Sequence, residues 1–157
     1  RNDFSWKGFN LGFMFSARFG GICYSATQAN LDKYGVSEAT AEARDRGYVL
    51  VNGNNYINPE VWYSTIGAND GIPQYYTYSA TNIRLQEASI GYTFKKNVFF
   101  GIGDLTLSVI GRNLFMLYCK APFDPEMTAS TGNYYQGIDK FMTPSTRTIG
   151  FNAKLKF

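Results

Sequence analysis

Residues 4–21 read FSWKGFNLGFMFSARFGG, and apolar side chains recur at every second position through most of this stretch. The odd positions from 9 to 19 are all apolar, whereas the even positions are mostly polar or glycine; the odd set is Phe9, Leu11, Phe13, Phe15, Ala17 and Phe19. Successive side chains of a β-strand point to opposite faces. The pattern therefore predicts a strand over residues 4–19 with one apolar face and one largely polar face.

Three further segments alternate in the same way, at residues 80–95, 103–117 and 145–157. In the last of them Ile149, Phe151, Ala153, Leu155 and Phe157 share one face. In the segment 80–95 the alternation changes parity between Leu85 and Ala88. Either a β-bulge near Glu87 restores a common face, or the first half lies outside the environment that requires the pattern. We expect four strands in total.

The connections between these strands differ in length. Residues 20–79 and 118–144 show no sustained period, and we predict long loops there, with a possible short helix at AEARDRG, residues 41–47. The second and third strands are joined by a short link. Long loops that alternate with a short turn are typical of outer-membrane barrels.

The composition excludes several classes of site. There is no histidine, which removes histidine-based catalytic triads and metal sites. The basic residues are scattered and the net charge is only +3, so we expect no nucleic-acid partner. Cys23 and Cys119 match no zinc or redox spacing, and we favour two separate thiols over a disulfide. We predict no enzymatic activity and no cofactor.

Two architectures use strands that are apolar on one face. In a soluble sandwich the apolar face packs on a second sheet, whereas in an outer-membrane barrel it faces lipid. An apolar band about 25 Å tall needs roughly 9–11 residues per tilted strand, which these segments provide. The charged residues of the strands avoid the apolar face: Arg18, Asp104, Arg112, Lys154 and Lys156. We therefore predict an all-β fold, a transmembrane antiparallel β-barrel. Since about eight strands are needed for closure, four would form part of a larger barrel.

Four motifs carry a family resemblance in their order and spacing. They are IRLQEASIGYTF at 83–94, VIGRNLFML at 109–117, FDPE at 123–126 and PSTRTIGFNAKLKF at 144–157. Together they resemble the C-terminal end of the SusC/RagA-type TonB-linked outer-membrane transporters of Bacteroidetes. The stretch SWKGFNLGFMFSARFGG is similar to a strand that lies upstream in that family. The resemblance implies that the chain supplies about the last four strands of a 22-stranded plugged barrel.

The same resemblance implies a function and partners. It indicates TonB-dependent import of oligosaccharides or peptides through a Gram-negative outer membrane, with a SusD-like surface lipoprotein. The other expected partners are the TonB–ExbB–ExbD complex, the rest of the barrel and plug, and membrane lipid. The long loops would be extracellular and the C-terminus periplasmic. The alternatives are another outer-membrane barrel, such as a porin or adhesin, and a soluble carbohydrate-binding sandwich.

The terminal strand and the aromatic residues near the short link have structural roles in this interpretation. The resemblance implies that the barrel-assembly machinery recognises Ile149, Phe151, Leu155 and Phe157. An aromatic girdle at the periplasmic interface is expected to contain Phe94, Phe99, Phe100 and Phe157.

Seven other residues are candidates for contacts in the lumen or loops. Arg18, Arg84 and Arg112 either line the lumen or form salt bridges within the barrel or plug. Asp124 and Glu126 either contact a ligand, partner or metal, or belong to a loop turn around Pro125. Tyr134 and Tyr135 either stack on sugars or pack the loops.

Overall fold

The structure, a computed structural model, describes residues 1–95, 103–127, 130 and 132–156. Strands predominate within these residues. In chain order the strands are β1 (Asn2–Trp6), β2 (Phe9–Arg18), β3 (Ile22–Ser25), β4 (Val49–Val51), β5 (Asn55–Ile57), β6 (Thr77–Ser79), β7 (Asn82–Phe94), β8 (Asp104–Cys119), β9 (Ile138–Asp139) and β10 (Thr148–Lys156). Three α-helices lie between them: α1 (Ala26–Lys33), α2 (Glu38–Arg46) and α3 (Pro59–Ile66). Two short 3₁₀ helices cover Pro73–Tyr76 and Asn133–Tyr135.

The chain divides into two compact units. The first, which we call the strand unit, consists of Arg1–Phe19, Thr81–Lys120 and Ser145–Phe157. The second, the helical unit, consists of Gly20–Ala80 and Ala121–Pro144. The helical unit thus contains the two segments that separate the long strands in sequence.

The strand unit is one antiparallel sheet in the order β1-β2-β7-β8-β10. The order in space follows the order in sequence, so the sheet is an up-and-down meander. The chain leaves it for the helical unit after β2 and again after β8. Because neighbouring strands are antiparallel, β2 and β8 run in the same direction, and the two exits lie at the same end of the strands. The described strands form an open sheet with β1 and β10 at its sides, so they do not close a barrel.

A tight turn corrects the prediction of a single strand at residues 4–19. The pairing of Trp6 with Phe9 leaves only Lys7 and Gly8 between β1 and β2. Both turn residues have positive φ, +47° and +94°, which is the geometry that two-residue hairpins favour. The sheet therefore has five strands rather than the four expected.

The bulge expected near Glu87 is confirmed. Met14 pairs with Glu87, but its neighbour Phe15 pairs with Leu85, so Gln86 is the extra residue of β7. The partner strand β8 is also irregular here, because Leu85 pairs with Phe115 and Glu87 with Arg112, which leaves Asn113 and Leu114 unpaired; Asn113 has a φ of +51°. Because of Gln86, the apolar residues on both sides of it face the same way.

The helical unit replaces the long loops predicted at 20–79 and 118–144. Its sheet has the order β6-β3-β9, and β9 comes from the second of these segments. A separate hairpin joins β4 to β5. The helix considered at residues 41–47 is present within α2, whereas α1 and α3 were not predicted. Ala29, Ile66 and Tyr76 form the buried core of this unit, with Tyr24, Trp62 and Tyr63 packed against it.

Deletion of Gln86 tests the bulge. The deletion would reverse the phase of one half of β7 and move apolar side chains such as Ile83 and Leu85 to the polar face. We expect the free energy of unfolding to fall by about 3 kcal/mol or more, because a misplaced large apolar side chain costs about 1.5–3 kcal/mol. Gln86→Ala keeps the residue count and is the control. Equal stability of the deletion and the control would contradict the register.

Candidate functional site

The apolar face of the strand unit is built from rows of side chains that cross all five strands. In the central row Phe4 pairs with Leu11, Leu11 with Ile90, Ile90 with Val109, and Val109 with Phe151. All five side chains are exposed, from 39% for Val109 to 86% for Phe151. Soluble monomeric proteins rarely expose a row of large apolar side chains. Where such a patch is exposed, it marks a surface that contacts a partner or a membrane.

Aromatic rings are concentrated on this face. Several lie in stacked or edge-to-face contact with centroid separations of 4.8–5.8 Å, the arrangement that aromatic pairs prefer. The pairs are Phe4–Phe13, Phe9–Tyr92, Phe13–Phe15 and Tyr92–Phe94. The girdle residue Phe94 is thus part of the aromatic cluster. Phe99, Phe100 and Phe157 lie outside the described residues.

The opposite face is lined by short polar side chains and glycines. Asn10 Nδ2 donates to Thr93 Oγ1 at 2.9 Å, and the hydroxyls of Thr93 and Thr106 are hydrogen-bonded at 3.0 Å. Gly91 allows close packing here, because a Cβ atom at this position would lie 2.7 Å from Cβ of Ser108. The two faces of one sheet therefore differ in chemistry along its whole width.

Arg112 takes part in an ion-pair network on the polar face. Its Nε lies 3.2 Å from Oε2 of Glu87, and Arg1 Nη1 lies 3.3 Å from Oε1 of the same carboxylate. Arg1 also contacts Asp3 at 3.0 Å. Of the two roles considered for Arg112, internal salt bridging is the one that the geometry favours. Since both arginines are more than half exposed, each pair contributes at most about 1 kcal/mol.

Arg84 and Arg18 have different environments. Arg84 is buried, and its Nη1 donates to Ser145 Oγ at 3.0 Å and to Asn113 Oδ1 at 3.4 Å. These contacts connect β7 to the segment that precedes β10. Arg18 ends β2 and is exposed. Arg84 therefore has a positioning role in the sheet, and Arg18 remains the more accessible of the two.

Asp124 and Glu126 lie in a turn. Asp124 Oδ1 accepts a hydrogen bond from the backbone N–H of Glu126 at 3.1 Å, which is the usual way an aspartate stabilises a turn around proline. No group of three or more Cys, Asp or Glu side chains suited to a metal ion occurs in the described part of the chain. The geometry favours the loop-turn role over a metal site.

Tyr134 and Tyr135 occupy the short helix Asn133–Tyr135. Their rings meet edge-to-face at 5.2 Å, and Tyr134 is 83% exposed. An exposed tyrosine held by its neighbour offers an apolar face for stacking.

The terminal strand presents its apolar side chains outward. Ile149, Phe151 and Leu155 are exposed on β10, at 67%, 86% and 40%. Their registered neighbours on β8 are Gly111, Val109 and Leu105, so β10 extends the apolar face. Phe157, the fourth residue of the expected assembly signal, lies outside the described residues.

The helical unit holds a buried polar network that sequence reasoning missed. Ser25 caps α1 by accepting a hydrogen bond from the N–H of Gln28, and its hydroxyl donates to Asp139 Oδ2 at 2.8 Å. Gln28 in turn donates to Asp32 Oδ1 at 2.8 Å. The spacing Ser25-x-x-Gln28 is a capping-box pattern, and this signal could have located the start of α1.

Three tyrosines of this unit have raised pKa values. Burial raises the pKa of Tyr76 well above its usual value near 10, and the negative charge of Asp32 adds to the effect. Burial and Asp32 also raise the pKa of Tyr63 and of Tyr78. The buried Tyr76 hydroxyl lies close to the Asp32 carboxylate but forms no hydrogen bond of good geometry with it. Asp32 therefore influences several aromatic side chains at once.

No protein-family model matches the chain, and no curated protein matches it either. None of the helices in the described residues is long and apolar enough to cross a membrane.

The variant Tyr76→Phe tests the state of this hydroxyl. A pKa that is raised on folding gives stability that is complete below about pH 10 and is lost as the pH increases further. We expect the variant to lose less stability in alkali than the parent. At neutral pH its free energy of unfolding should fall by no more than about 1 kcal/mol, because the hydroxyl forms no hydrogen bond of good geometry.

Denaturant unfolding at neutral and alkaline pH measures both effects, and Tyr75→Phe, at a half-exposed neighbouring position, is the control. A loss of more than about 1 kcal/mol at neutral pH, specific to Tyr76→Phe, would contradict this account.

Proposed function

We propose that the strand unit is part of a transmembrane β-barrel in the outer membrane, within a SusC/RagA-type TonB-dependent importer. The observation that carries this proposal is the central row of exposed apolar side chains, which runs from Phe4 to Phe151 across five strands. Hydrocarbon is the environment in which such a face is favourable without protein cover.

Strand length and charge support a membrane location. The strands β2, β7, β8 and β10 have 10, 13, 16 and 9 residues, and about 9–11 tilted residues span the apolar band. The paired charges, Glu87 with Arg112, lie on the face opposite the apolar rows. A polar, water-lined interior is typical of large membrane barrels. In a soluble sandwich the same row would be covered by a second sheet.

Five strands are fewer than a barrel needs, so in this proposal further strands continue the sheet beyond β1 and β10. The complete barrel would have 22 strands and a plug, as the family resemblance implies. The exits after β2 and β8 would face the cell exterior, and β10 would run toward the periplasm. The helical unit would then be extracellular.

The proposed activity is energised import of a nutrient, an oligosaccharide or a peptide. A SusD-like lipoprotein and the TonB–ExbB–ExbD complex are the proposed partners. Exposed Tyr134 and Arg18 are the described candidates for contact with a substrate or partner. Ile149, Phe151 and Leu155, together with Phe157, are proposed to form the signal for barrel assembly. A porin or adhesin would share the barrel but would not use TonB.

A pair of lysine substitutions on β10 tests the lipid contact. Phe151→Lys places a charge in the central apolar row, whereas Asn152→Lys places the same charge on the polar face next to Ser108. A lysine at the membrane midplane on the lipid face costs about 2–4 kcal/mol. We expect Phe151→Lys to reduce the fraction of folded protein in the membrane strongly, and Asn152→Lys to leave it nearly unchanged.

Semi-native gel electrophoresis of membrane fractions gives the folded fraction for the parent and both variants. Equal folding of the two variants would contradict a lipid-facing Phe151. Recovery of the folded parent protein in the soluble fraction would also contradict the membrane location, and it is the outcome that the sandwich alternative requires.

A further inference from the structure

The helical unit contains a cavity of about 370 Å³ among its three helices. This volume is within the range of small-molecule sites, about 300–1,000 Å³. The charged and aromatic side chains that line it are Asp32, Lys33, Tyr34, Arg44, Glu60 and Tyr63. Carboxylates and cations are equal in number in this set, which suits a ligand that carries charges of both signs.

The walls of the cavity are fixed by local structure. α1 ends at Lys33, and Gly35, with φ of +69°, redirects the chain toward α2. Arg44 Nη1 donates to the carbonyl oxygen of Gly35, which ties α2 to this bend. α3 begins at Pro59 with Asn58 as its cap, and Tyr63 on α3 donates to the carbonyl of Ala39 at 3.4 Å. The cavity is therefore largely formed before any ligand arrives.

Asp32 is the unusual member of the lining. The residue is only 5% exposed, and Oδ1 of its carboxylate accepts a hydrogen bond from Gln28 at 2.8 Å. Within the described residues it has no ion pair. Burial of a carboxylate without an opposite charge beside it is unfavourable. Its charge also reaches the tyrosine hydroxyls nearby, since it raises the pKa of Tyr63. A cationic group in the cavity would remove this penalty.

A cation in this position would also meet aromatic surface and a second carboxylate. The ring of Tyr63 lines the cavity, and an aromatic face within about 6 Å attracts an ammonium group. Glu60 is exposed at the start of α3 and adds negative charge at the rim. On the other side Arg44 has guanidinium N–H groups beyond the one used by Gly35, and these suit a carbonyl or carboxylate oxygen.

We propose that this cavity binds the amino-terminal end of a short peptide, with the α-ammonium group at Asp32 and a peptide carbonyl or carboxylate oxygen at Arg44. A neutral sugar would offer hydroxyl hydrogen bonds but no charge to pair with Asp32. The proposal narrows the nutrient named above to a peptide, but the binding it describes concerns the helical unit alone and does not depend on where the strand unit resides.

Isothermal titration calorimetry on the full chain in detergent tests the proposal with trialanine as the probe. N-acetyl-trialanine, which lacks the ammonium group, and maltotriose, a neutral sugar, are the comparison ligands. We expect trialanine to bind at least about tenfold more tightly than N-acetyl-trialanine, which corresponds to about 1.4 kcal/mol, and maltotriose to bind weakly or not at all.

Asp32→Asn removes the charge and retains an oxygen that can accept from Gln28, so we expect trialanine affinity to fall about tenfold or more. Asp45→Asn is the matched control, because Asp45 is exposed on α2 and does not line the cavity. Glu60→Gln, at the exposed rim, should weaken binding severalfold.

Equal binding of the acetylated and free peptides to the parent protein would overturn the proposal whatever the variants do. So would preferential binding of maltotriose, or the absence of trialanine binding.

Discussion

The alternation of apolar and polar side chains has to stay in phase across five strands, and the extra residue Gln86 is what keeps β7 in phase. Without it, Ile83 and Leu85 would lie on the polar face of the sheet, whereas Ile90 and Tyr92 would stay on the apolar face. A slip of one residue exchanges the two faces of a strand, so the register is strongly determined wherever one face has to be apolar. The segregation of charge, the aromatic cluster and the Glu87–Arg112 contact all depend on this phase.

Much of the strand unit could be predicted because its signal is local. A period of two over nine or more residues identifies a strand without knowledge of its neighbours, and the change of parity between Leu85 and Ala88 was enough to locate the bulge. The sequence pattern does not reveal the hairpin at Lys7–Gly8, because the apolar residues before the turn, Phe4 and Trp6, are compatible with one continuous strand. The Lys-Gly pair between two apolar runs was the available turn signal.

The helical unit could not be predicted in the same way. Its helices have eight or nine residues and its strands two to four, too short to establish a period. Capping signals such as Ser25-x-x-Gln28 and Asn58-Pro59 marked where helices begin, but not how they pack. The hydrogen bond from Ser25 to Asp139 joins residues that are 114 positions apart, and the cavity that Asp32 lines is likewise formed by residues of three helices. For the same reason the sequence named Arg84 as a candidate without revealing its bonds to Ser145 and Asn113.

The central claim is that the apolar face of the strand unit contacts lipid while the opposite face contacts water. Nitroxide labels at successive positions 105–109 of β8, in protein reconstituted into lipid vesicles, measure this directly through collisions with oxygen and with a water-soluble nickel chelate. The account predicts that labels at Leu105, Leu107 and Val109 are accessible to oxygen, which concentrates in lipid, and that labels at Thr106 and Ser108 are accessible to the chelate. Labels at the three apolar positions that are shielded from both reagents, or that contact the chelate as readily as their neighbours, would contradict it.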